Sequence, residues 1–164
     1  MIQLRVLEST DWTRVKTIFE QGIETGTATF ESEAPEWEGW DADHLDRCRI
    51  VAELDGDVVG WAALSPVSDR CAYGGVAEAS VYVHSDHRRR GVGSSLLSQL
   101  VRDSEAAGIW TLQAGLFAEN RSSLRLIGRH GFREVGIRRR LGKLDGTWRD
   151  VLLYERRSEV VGVD

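Results

Sequence analysis

Residues 79–97 constrain this chain more than any other stretch. An extended apolar run, Val81-Tyr82-Val83, enters a turn made of Arg88, Arg89, Arg90, Gly91, Val92 and Gly93. A helical pattern, Leu96-Leu97-x-x-Leu100-Val101, leaves it, opening with Ser94 and Ser95. A strand that feeds a glycine turn at a helix start is suited to holding phosphate. The first amides of a helix have no internal partner, and the helix dipole is positive there. Gly91 and Gly93 admit an anion without a Cβ in the way. The three arginines bring charge and bidentate donors to the same spot.

The rest of the chain fixes what surrounds this unit. Ile2 to Val6 alternates and predicts an opening strand. Ser9, Thr10 and Asp11 can cap a helix whose apolar face is Trp12, Val15, Ile18, Phe19 and Ile23. A second helix is predicted from Pro35 to Arg47. Asp55-Gly56 separates two apolar runs and predicts a hairpin, and Asp145-Gly146 predicts another. Between them lie a strand from Ala77 to His84, the Gly-loop helix ending at Gly108, a strand from Trp110 to Phe117, and a helix capped by Asn120. The predicted order is β-α-α-β-β-β-α-β-α-β-β, an α/β (α+β) architecture with a central mixed sheet. Hairpins rather than regular βαβ units flank the glycine loop, which excludes a dinucleotide-binding Rossmann domain.

At 164 residues, 41% hydrophobic and 29% charged, the chain reads as one globular domain over 1–157, with 158–164 as a flexible tail. A net charge of -5 argues against a nucleic-acid surface, and no apolar run approaches a membrane span. Cys48 and Cys71 have no metal-ligand spacing, and His84, His87 and His130 lack defensible acidic partners, so no metal is expected. Free thiols suit a reducing cytoplasm.

The spacing Arg88-x-x-Gly91-x-Gly93, in that strand-to-helix setting, resembles the acyl-CoA pyrophosphate loop of GNAT-type N-acetyltransferases, and the predicted element order matches their fold. Further motifs resemble the phosphinothricin and methionine sulfoximine acetyltransferase branch. They are Thr29-Phe30 with Pro35, Arg70-x-x-Tyr73, Ala77-Glu78-x-Ser80-Val81-Tyr82-Val83, Asn120-x-x-Ser123, Gly131-Phe132, and Gly146-x-Trp148-x-Asp150-Val151. The resemblance implies transfer of an acetyl group from acetyl-CoA to the α-amino group of a small amino-acid analogue, in a homodimer. It assigns Val81, Tyr82 and Val83 to pantetheine through main chain, residues 88–95 to the diphosphate, and Asn120 with Ser123 to the pantetheine arm. Phe30, Glu33, Arg70 and Tyr73 become the acceptor candidates, with Arg70 as a carboxylate clamp.

The chemistry can be argued beside the resemblance. An amine attacks a thioester only when neutral, and amines such as lysine hold their proton until a pKa of about 10.4. A base must remove that proton, and Glu78 is the candidate. On an extended segment it shares a face with Ser80 and Tyr82, and partial burial would raise its pKa toward neutrality. The N–H of Tyr82 or Val83 would donate to the thioester oxygen as charge develops there. Many GNAT enzymes carry a tyrosine seven residues after the asparagine, as general acid for the leaving thiolate. Ile127 stands there, so that acid is missing. Two other readings remain open at this point: acetylation of a protein N-terminus or other amine, and a non-catalytic acyl-CoA-binding module.

Overall fold

Both Asp-Gly pairs form the predicted turns. Asp55 and Gly56 have φ of 52° and 87°, and Asp145 and Gly146 have 50° and 79°. Two consecutive positive φ values match the right-handed twist of flanking strands. The first turn joins β2 (Ile50–Leu54) to β3 (Asp57–Pro66), and the second joins β6 (Arg133–Leu144) to β7 (Thr147–Arg157). The computed structural model describes residues 1–164.

The remaining elements are β1 (Gln3–Val6), α1 (Trp12–Glu24), α2 (Trp37–Asp43), β4 (Val76–Val83), α3 (Val92–Ala106), β5 (Thr111–Phe117) and α4 (Arg121–Arg129). The strands form one sheet in the order β1-β2-β3-β4-β5-β7-β6. Every neighbouring pair is antiparallel except β4 with β5. The mixed sheet and flanking helices are those expected from the sequence.

β3 is buried on both faces, from Val58 to Leu64 without interruption. Its Val59, Ala62 and Leu64 enter a core with Leu96, Leu97 and Leu100 of α3. Its Val58, Trp61 and Ala63 enter a second core with Val15, Ile18 and Phe19 of α1 and Trp40 of α2. Alternate side chains of one strand thus hold helices on opposite faces of the sheet. Each buried leucine of α3 contributes about 1.5–3 kcal/mol, which fixes the helix carrying the glycine loop directly against the central strands.

Three boundaries differ from the sequence expectation. α2 spans Trp37–Asp43, shorter than the predicted 35–47, because the chain turns extended at His44. Arg49 supplies the missing donors, bonding to the carbonyls of Asp41, His44 and Leu45. α3 begins at Val92, two residues before the predicted opening at Ser94. The C-terminal residues, expected to be a flexible tail, are instead fastened. Ser158 is buried and donates its hydroxyl to Glu105 Oε1 at 2.9 Å. Arg157 donates to the carbonyls of Ser158, Val161 and Gly162. One guanidinium offers enough donors to satisfy several chain-end carbonyls at once, and no local pattern in 158–164 announces that.

Candidate active site

β4 and β5 run parallel for only three residue pairs, Val76 with Thr111, Ala77 with Leu112, and Glu78 with Gln113. Beyond that, β5 continues beside β7 from Ala114 to Phe117. β4 continues to Val83 beside β3 alone. The two strands part, and the edge of β4 from Ala79 to Val83 has main-chain groups with no strand partner on that side. Such groups need hydrogen bonds. Their partner must be extended and amide-bearing to match the spacing of a strand edge.

The turn after β4 closes the wide end of the gap. Arg89 and Gly91 have φ of 62° and 82°. Glycine takes such a value at no steric cost, whereas Arg89 is held there by its surroundings. The first intrahelical bond of α3 runs from the Ser95 N–H to the Gly91 carbonyl, 3.0 Å. Amides ahead of it, through Ser94, are therefore free of helical partners and face the positive end of the dipole. Ser94 Oγ is held at 3.2 Å from His130 Nε2.

These features line a single cleft of about 1020 Å³. Of the residues singled out from the sequence, it includes Glu78, Val81, Tyr82, Val83, Arg88, Arg89, Gly91, Val92, Gly93, Ser94, Asn120, Ser123 and Phe30. Asn120 caps α4, its side chain accepting from the Ser123 N–H at 3.4 Å. Glu33, Arg70, Tyr73, Arg90 and Ser95 do not line it. Ser95 lies beyond the loop because its amide is already used within the helix. Arg70 and Tyr73 sit on the β3–β4 connection, both exposed, with the guanidinium 5.4 Å from the Tyr73 ring. Within one chain, the carboxylate clamp assigned to Arg70 is therefore not assembled.

The structure adds residues the sequence reading missed. Arg125 and Arg129, one turn apart on α4, line the cleft with Arg88 and Arg89. An i, i+4 pair of arginines on the helix after Asn120 was the available signal, and it was indistinguishable from a solvated face. At the other end, Phe117, Leu141 and Val151 join Phe30, Thr25, Thr27, Thr29 and Glu31. All four arginines lining the cleft lie on the loop and α4.

Glu78 stands at the fork between the two strands. It is half-buried, and burial pushes its pKa above the ordinary carboxylate value, against a lowering hydrogen bond from Gln113. Gly115 lies beside it, and a Cβ on that residue would meet Val151 Cγ1 at 3.2 Å before reaching Glu78. Tyr82 stacks on Phe19 and Trp61, with centroids 5.1 and 4.9 Å apart. Burial first, against a hydrogen bond with Thr29, pushes its phenol up to about 12, so the hydroxyl keeps its proton at neutral pH. Ile127, at the position of the missing tyrosine, is buried in the core. No group of three or more His, Cys, Asp and Glu is placed to hold a metal ion, and no helix is long and apolar enough to cross a membrane.

A free strand edge leading from a carboxylate to an amide-lined, arginine-rimmed loop defines an acyl-CoA-dependent N-acyltransferase. The acetyltransferase (GNAT) family model matches residues 11–132, and the chain belongs to that family. The phosphinothricin N-acetyltransferase of Streptomyces viridochromogenes is 33% identical over 164 residues, covering 97% of this chain and 89% of its own. The L-methionine sulfoximine/L-methionine sulfone acetyltransferase of Salmonella typhimurium is 31% identical over 106 residues, covering 65% and 62%. A GNAT superfamily phosphinothricin acetyltransferase from Sinorhizobium meliloti, solved in complex with AcCoA, superposes with a TM-score of 0.85 at 27% identity. That alignment covers 99% of this chain and 96% of that one. The family, branch and fold are those the sequence resembles, and the enzyme class is acetyl-CoA-dependent N-acetyltransferase.

Proposed function

We propose that this enzyme acetylates the α-amino group of a small amino-acid analogue of the phosphinothricin, methionine sulfoximine or methionine sulfone kind, with Glu78 as general base. The observation that carries the reading is Glu78 itself, a half-buried carboxylate at the fork where β4 leaves β5. It lines the same cleft as the free strand edge and Phe30, Phe117, Leu141 and Val151. A carboxylate with a raised pKa is a stronger base than an exposed one and can accept the ammonium proton, directly or through water.

The strand edge fits an amide-bearing pantetheine arm, and the loop amides with Arg88, Arg89, Arg125 and Arg129 fit a diphosphate. Acetyl-CoA supplies the activated acyl group when bound. The register with β3 turns the Val83 N–H to the free edge, where it would then donate to the carbonyl oxygen as the amine attacks directly. The departing thiolate has a pKa of about 8.5 and takes its proton without a dedicated acid. This agrees with a buried Ile127 where a tyrosine could have stood.

Two coarser points belong to the same reading. The β6–β7 hairpin leaves Val135, Ile137 and Trp148, none of which lines the cleft, exposed by 45–54%, which supports a homodimer closing over it. Free Cys48 and Cys71 support a cytoplasmic location. Thiol release from acetyl-CoA, measured against phosphinothricin, oxidised methionine analogues, amino acids and short peptides, tests the acceptor. Turnover confined to the peptides would replace this reading with N-terminal acetylation of proteins. Light scattering tests the dimer.

A further inference from the structure

Arg149 lies on β7, outside every motif that points to the cofactor, yet its side chain reaches three separate segments, at Gly26, Glu119 and the cleft-lining Phe117. One nitrogen donates to the Gly26 carbonyl at 3.0 Å. The other donates to Glu119 Oε2 at 3.2 Å. Its guanidinium carbon lies 4.3 Å from the centroid of Phe117. Phe117 in turn meets Phe30 edge-on, with centroids 4.8 Å apart and planes at 87°. The Phe30 ring rests against Gly142 on β6, so closely that a Cβ there would stand 3.1 Å from it.

The two acceptors of Arg149 belong to opposite ends of the site. Gly26 lies in the segment 25–31, whose Thr25, Thr27, Thr29, Phe30 and Glu31 line the acceptor end of the cleft. Glu119 directly precedes Asn120, the cap of α4 at the cofactor end. Segment 25–31 lies outside the helices and strands, so it depends on side-chain ties for its position. A planar fork can satisfy two acceptors in divergent directions while its face covers an aromatic ring, which a lysine ammonium cannot do. The Arg149 side chain is only 16% exposed, against 59% for Glu119, so the bond to Gly26 is the sheltered one.

From this geometry we infer that Arg149 is a positioning residue for acetyl transfer, holding the acceptor wall at a fixed spacing from the turn that carries Asn120. The inference rests on the acceptor reading above for its kinetic consequence. Its structural content stands apart from that reading. An exposed ion pair contributes about 0–1 kcal/mol to stability, so the tie acts on placement more than on folding. Misplacing a reacting group by about 1 Å can cost about a hundredfold in rate.

The test compares Arg149→Ala, Arg149→Lys and Glu119→Gln with the unaltered enzyme. Arg149→Ala should lower kcat/KM for the amine by about tenfold to a hundredfold and leave the acetyl-CoA KM within about threefold. Arg149→Lys should recover only part of the loss. Glu119→Gln, which keeps the Gly26 tie and an amide oxygen to accept from the guanidinium, should change the amine constants by less than about threefold. Hydrogen exchange of residues 25–31 should quicken in Arg149→Ala. Unchanged exchange in that segment overturns the inference whatever the substrate proves to be. So does a lowered Tm with both kinetic constants unchanged, which marks a strut without a positioning role. An unaltered enzyme that acetylates none of the small amines would sink the acceptor reading, while the exchange result still decides the role of Arg149.

Discussion

The two ends of the cleft are built by different means. The proposed cofactor end is built mainly from contiguous backbone within residues 79–94, the free edge of β4, the turn through Arg89 and Gly91, and the first amides of α3, with Asn120, Arg125 and Arg129 added from α4. The acceptor end is made from side chains of distant segments, with Phe30, Phe117, Leu141 and Val151 coming from four places in the chain. Main-chain amides at a glycine turn tolerate exchange of most neighbouring side chains. A pocket of side chains changes with each of them. A common donor and a variable acceptor would be served by this division, and Glu78 sits at the boundary.

Replacing that boundary residue should have the largest effect. Glu78→Gln is expected to lower kcat by about 10²–10⁴-fold while acetyl-CoA affinity, measured by calorimetry, stays near normal. The pH profile of kcat/KM sharpens the point. The carboxylate must be ionised to act, and its pKa is raised by burial. The acid limb should therefore lie above the usual carboxylate range and vanish in Glu78→Gln, leaving only the limb of the amine. A wild-type limb at an ordinary carboxylate pKa would remove Glu78 from the role of base.

Next in size are substitutions that should affect one end only. Gly91→Val places a β-branched residue at φ 82°, a strain of about 1–2 kcal/mol. It should raise the acetyl-CoA KM about tenfold with the amine KM little changed. Phe30→Ala should do the reverse, with an amine KM about tenfold higher from lost apolar contact. If either substitution moved both constants equally, the two-part construction described above would be wrong.

A smaller effect concerns stability. Burial raises the pKa of Glu78 in the folded protein, so the folded state binds its proton more tightly than the unfolded chain, whose carboxylate keeps the ordinary value of 4.5. Its stabilising contribution is fully present below 4.5 and is lost as pH rises through the folded-state pKa. Glu78→Gln should accordingly raise Tm at pH 7–8, with the gain shrinking toward acid; calorimetry across pH checks it. Under the proposed role of Glu78 as base, the group would weaken the fold it serves, a common trade.

The smallest change is expected for Arg70→Ala. With Arg70 exposed and stacked on Tyr73 away from the cleft, the amine KM should move by less than about twofold. A tenfold rise would show that Arg70 reaches the acceptor in the working assembly, and would restore the clamp implied by the family resemblance.

How much of this could be read in advance follows the same division. Gly91, Gly93 and the arginines were legible because loop, strand and helix are neighbours in sequence, and the loop's chemistry depends on backbone conformation that glycine permits. Asn120 was legible as a cap for the same local reason. Asp150 shows the limit. Its carboxylate accepts the Arg140 N–H at 2.8 Å, steadying the irregularity in β6 between Arg138 and Gly142. Nothing in Gly146-x-Trp148-x-Asp150 reveals that partner. Arg149, beside it, reads locally as a strand residue, with no sign of its ties to Gly26 and Glu119.

By itself, the sequence determined the element order, the two Asp-Gly hairpins, the amide-lined loop and the carboxylate before the strand edge. Each follows from forces acting over a few residues: turn geometry, helix-end amides, alternating burial. Only the tertiary structure decided where β4 and β5 part, that Phe30 meets Phe117, that Arg149 ties Gly26 to Glu119, and that Arg70 does not line the cleft. Those outcomes depend on packing between segments far apart in the chain, where shape and the need to satisfy every buried polar group select one arrangement that no short pattern encodes.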